Sequence, residues 1–70
     1  MNIQMYNLHL INGAVISVAE DYNLPIGKGL IGKYRAAKMD DVLCVNSGMG
    51  YSYIPKRNIV FVETGEVIAG

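Results

Sequence analysis

The chain has seventy residues, room for one domain over residues 1–70. With one cysteine, Cys44, and one histidine, His9, it has neither a disulfide framework nor an ordinary zinc site. Six basic and six acidic residues cancel to a formal net charge of zero, which argues against broad attraction to nucleic acid or a membrane surface.

Composition also sets an expectation about assembly. Apolar residues make up 51% of the chain, whereas so short a polypeptide buries only about 60% of its unfolded surface. The surplus is expected to be hidden against another copy or a partner protein, so a homo-oligomer is expected.

In chain order, "MNIQMYNLHL" lacks the basic start and long apolar core of a signal peptide. No run of about 18 apolar residues follows, so no membrane span is expected. A lone cysteine fits a reducing, cytoplasmic setting. Residues 3–19 read as a β-hairpin around Asn12-Gly13. A two-residue turn would set Leu8 opposite Ser17 and mix polar with apolar on each face. A three-residue loop, Ile11-Asn12-Gly13, with Gly13 in the left-handed region, shifts the register by one. Tyr6, Leu8, Leu10, Ala14, Ile16 and Val18 then share one face, and register follows the apolar pattern.

Pro25 turns Leu24 away from helix. Residues 29–38 read as a short helix with Leu30, Ile31, Tyr34 and Ala37 on one side. Gly29 and Gly32 weaken it, so packing must hold it. Residues 41–46 and 51–54 read as strands joined by a turn at 47–50. A corner at Pro55–Asn58 leads to a third strand at 59–64, and Thr64-Gly65 reads as the start of one more short turn, after which Val67-Ile68 would pair back or add to a neighbour's sheet edge. In the strand at 41–46, Cys44 is expected to be a buried small apolar group. The order β-β-α-β-β-β predicts a mainly β fold with one short helix, closed as a small SH3-like antiparallel barrel or left as a strongly twisted sheet.

Two sets of residues carry the candidate chemistry. The string "GKGLIGKY" matches G-x-G-x-x-G through Gly27, Gly29 and Gly32, but no acid stands about 20 residues on to hold a ribose. As a P-loop it fails because Tyr34, not Ser or Thr, follows Lys33. A simpler anion site remains: amides at a helix start beside Gly27, Lys28, Gly29 and Lys33, with Arg57 added from a neighbouring subunit, for a phosphate or nucleotide. The second set is Tyr51 and Tyr53, which alternate onto one strand face, followed by Lys56 and Arg57. Tyrosine pairs an apolar body with a polar tip and is enriched at interfaces. A base-stacking role is the competing reading, disfavoured by the neutral charge. Neither a cofactor nor a metal is expected, and local spacing shows no complete catalytic set around His9, so the chain reads as non-catalytic.

"GYSYIPKRNIVFVE" resembles the end of SH3-type barrels, where an aromatic strand meets proline, a short 3₁₀ turn and an Asn before a final apolar strand. Tyr53, Pro55, Asn58, Ile59 and Val60 stand in those places. The resemblance covers residues 50–63. It implies a small-barrel fold only, since the chain has no tryptophan with which a peptide-binding SH3 domain would grip a proline ligand. Domains of this size often serve as accessory or inhibitory factors in bacteria or their phages. The expected function is therefore a protein-interaction or assembly module, with the nucleotide or phosphate binder as its alternative.

Overall fold

The computed structural model describes residues 1–48 and 50–70; Met49, in the expected turn at 47–50, lies outside them. Among the described residues five strands and one short helix follow one another: β1 (Asn2–Leu10), β2 (Val15–Asp21), α1 (Leu30–Ala36), β3 (Val42–Asn46), β4 (Tyr51–Pro55) and β5 (Ile59–Ala69). A 3₁₀ turn at Ile26–Lys28 precedes α1, and another at Lys56–Asn58 makes the proline corner. The strands form two antiparallel sheets, one ordered β2-β1-β5 and the other the β3-β4 hairpin. The two sheets do not close into a barrel: β3 shares no ladder with β2, and the corner separates β4 from β5. The expected mainly β class stands, and the closed barrel does not. No helix among the described residues is long and apolar enough to cross a membrane.

The first hairpin has the expected three-residue loop. Leu10 N–H donates to Ala14 O at 2.8 Å, and Gly13 sits at φ 88°, where a side chain would be strained. Leu8 lies opposite Ile16 and Tyr6 opposite Val18. That register puts Leu8, wholly buried, at the centre of a core with Val18, Leu30, Leu43, Val45, Ile54 and Ile59. The expected helix shortens to α1, whose Leu30 is buried and whose Tyr34 packs at the core edge.

Two expectations fail here. Thr64-Gly65 does not start a turn; β5 runs on to Ala69 through a bulge, because Met5 stands where both Gly65 and Glu66 must fit. A Cβ on Gly65 would come within 3.1 Å of Met5 O, so glycine lets the strands approach there. The buried Gln4 side chain completes the bulge, its Nε2 donating to Met5 O at 2.9 Å and Gly65 O at 3.0 Å. The second failure is Cys44, which is exposed. Leu43 and Val45 turn inward, so Val42, Cys44 and Asn46 must turn outward by strand alternation.

Candidate functional site

Apolar residues occupy both faces of β3, so its alternation alone did not say which face would be buried. Packing against Leu8 and Leu30 selects Leu43 and Val45. On the other face Cys44 lies opposite Tyr53 and Asn46 opposite Tyr51. Tyr51 is 71% exposed, Tyr53 70% and Val42 58%. The hairpin thus presents an apolar, aromatic face to solvent. Tyr51 and Tyr53 were legible as a pair; Val42 and Cys44 beside them were not.

Lys56 and Arg57, which follow Tyr53 across the proline corner, each make a contact of their own. Lys56 turns inward, its Nζ donating to Ala37 O at 2.6 Å and lying 4.9 Å from the Tyr34 ring centroid. A cation on the last carbonyls of a helix is favourable, and a cation over a tyrosine adds about 0.5–1 kcal/mol at such sites. Lys56 therefore ties the corner to the end of α1. Arg57 pairs with Asp40 at the solvent-exposed surface.

The glycine stretch is also partly occupied from within. Glu20 reaches across ten residues to accept the Leu30 N–H at 3.0 Å, and a Cβ on Gly29 would meet its Oε1 at 3.2 Å. Gly29 offers no side chain of its own as a cap, so the Glu20 carboxylate takes that role. The same carboxylate, after burial itself, holds the Tyr6 hydroxyl above the usual phenol range. Lys28, Lys33 and Tyr51 line one cavity of about 250 Å³ between β2 and β3, together with Glu20 and Asp21. Gly27 and Arg57 do not line it.

Strand alternation already sets Asn7, His9 and Ser17 together on the more polar face of the first hairpin; the structure adds Glu63 and Phe61 from β5 to that face. His9 Nε2 lies 3.0 Å from Glu63 Oε1, and the His9 ring stacks on Phe61 with centroids 4.0 Å apart. Asn7 Nδ2 donates to Glu63, and Ser17 Oγ donates to Asn7 Oδ1 at 3.4 Å. Ser17 thus bonds the asparagine, not the histidine, so this is no nucleophile–base pair. The hydrogen bond to His9 first, then that to Asn7, lowers the Glu63 carboxyl below its ordinary range. A carboxyl lowered on folding stabilises above its unfolded pKa, and that contribution is lost as pH falls through the folded value. His9→Ala should return the Glu63 titration toward the ordinary carboxylate range. Side-chain NMR through an acid titration checks this; an unmoved midpoint would mean that His9 is not the cause.

No protein-family model matches this chain, and no curated protein or solved structure is detectably similar to it.

Proposed function

We propose that this protein is a non-catalytic assembly module: a small homo-oligomer that docks another protein on the outward face of the β3–β4 hairpin. The observation that carries the docking site is the exposure of Tyr51 and Tyr53 beside Val42 and Cys44. Exposed aromatic residues of this kind supply contact area at low entropy cost. Self-association is supported by surface area. The chain exposes 4797 Å², about 500 Å² more than the roughly 4,300 Å² of a compact monomer of its mass. A standard interface buries about 800 Å² per partner.

Native mass spectrometry of the protein purified from its host tests both parts. An oligomer carrying a stoichiometric protein that Tyr51→Ser/Tyr53→Ser releases is the expected result. A bare monomer at every concentration would remove the reading.

A phosphate or nucleotide binder is the second reading, favoured by Lys28, Lys33 and Tyr51 sharing one cavity. Against it, Glu20 and Asp21 line the same cavity and would repel an anion. A thermal-shift screen decides, because a ligand at 100 times its Kd adds about 2.7 kcal/mol. No shift with phosphate or any nucleotide leaves the assembly module alone.

A further inference from the structure

We infer that two copies of this chain join through the outer edge of β5, pairing antiparallel across a two-fold axis that passes between Gly65 and Glu66. This names the surface for the self-association proposed above and rests on that reading.

Met1 and Gly70 exchange hydrogen bonds, Gly70 N–H to Met1 O at 2.8 Å and Met1 N to Gly70 O at 3.1 Å. Asn2 O instead accepts from Tyr22, and Leu10 N–H donates to Ala14 O. Odd-numbered β1 residues therefore face β5, and even-numbered ones face β2. Their partners sort β5 in turn. Ile68, Glu63 and Phe61, opposite Ile3, Asn7 and His9, direct their backbone groups to β1. Val62, Thr64, Val67 and Ala69, opposite even-numbered residues, direct theirs outward. No backbone hydrogen bond from another element reaches that edge among the described residues.

The bulge makes the edge self-complementary. An unbroken strand would space the outward groups evenly; the extra residue at Gly65–Glu66 splits them into two pairs. One two-fold register aligns these four: Val62 with Ala69 and Thr64 with Val67 of the second copy. These side chains share the core-side face, so the pairing also keeps each sheet's inside and outside continuous. On the outward face it sets Ile68 opposite Glu63 and within diagonal reach of Phe61. Val67 and Ile68, each 46% exposed, gain cover. The product is a six-stranded sheet, β2-β1-β5 continued by its two-fold mate. The other free edges fit less well. β4 is five residues long and ends in Pro55, while β2 and β3 face one another across a cavity.

One feature opposes the dimer and so provides a signature. The two Glu66 carboxylates meet near the axis with like charge. Glu66→Gln should tighten the dimer about two- to five-fold, and added salt should tighten it too. Val67→Pro removes an outward N–H that the β1 ladder does not use. It should raise the dimer Kd about thirtyfold, since two symmetry-related hydrogen bonds are lost. Thr64→Lys charges the same edge and should also yield monomer.

Sedimentation equilibrium on the full chain and each variant, with circular dichroism to confirm folding, decides the matter. The expected result is a wild-type dimer, monomeric Val67→Pro and Thr64→Lys, and a tighter Glu66→Gln. Folded edge variants that dimerise like wild type overturn this interface; if Tyr51→Ser/Tyr53→Ser then breaks the dimer, self-association itself survives through the hairpin. Wild-type protein that is monomeric at every concentration overturns both.

Discussion

Leu8→Ala should remove a large share of the stability of this domain. Leu8 is wholly buried, flanked in the sheet by Ile16 and Val62 and covered by the rest of the core. Truncating such a leucine costs about 2–5 kcal/mol, because the lost transfer energy is joined by that of the cavity left behind. A seventy-residue domain has on the order of 3.5–10 kcal/mol in total. Each kcal/mol moves the midpoint of so small a domain by roughly 4–8 °C. Thermal melts followed by circular dichroism should therefore show a fall of at least about 8 °C, or no cooperative transition. Leu8→Met, nearly matched in volume, should cost less than about 1.5 kcal/mol. Equal losses in the two variants would show that the cavity is not what matters.

Glu20→Ala should be the most damaging change to a charged residue. It removes the acceptor for the Leu30 N–H at the start of α1, where Gly29 cannot substitute. Losing a helix cap costs about 0.5–2 kcal/mol, and losing a negative charge at a helix start adds about 0.3–1 kcal/mol. With α1 loosened, Leu30 loses its hold on the core. Glu20→Gln keeps an acceptor oxygen and should recover part of the loss. Hydrogen exchange at the Leu30 amide provides the local measurement: it should quicken in Glu20→Ala more than in Glu20→Gln. Unchanged protection in both would remove Glu20 from the helix start. The Tyr6 hydroxyl gives a second readout. Burial raises its pKa first and Glu20 raises it further, so Glu20→Ala should bring it part of the way down. A phenol raised on folding stabilises fully below its unfolded pKa, and that contribution is lost as pH rises through the folded value. This effect is therefore confined to alkaline solution, whereas the capping loss acts at neutral pH.

The apolar surplus that pointed to self-association is visible in composition. The edge assigned to it is not, because its complementarity depends on a bulge. Thr64-Gly65 has the letters of a turn, and only Met5, arriving from the opposite end of the chain, makes it a strand. The candidate site divides in the same way. Tyr51 and Tyr53 share a face by alternation alone. Lys56 follows them closely in sequence yet belongs to Tyr34 and Ala37, since its stem reaches inward across the corner.

What the sequence by itself determined was local: the three-residue loop with Gly13, the Leu8–Ile16 register, the short helix and the proline corner. Each is decided by backbone sterics or by apolar spacing within a few residues. Tertiary structure decided which face of β3 is buried, which carboxylate caps α1, where Lys56 points, and that the sheets stay open. Those outcomes depend on partners distant in sequence. Their energies arise only when separate segments meet and exclude water together.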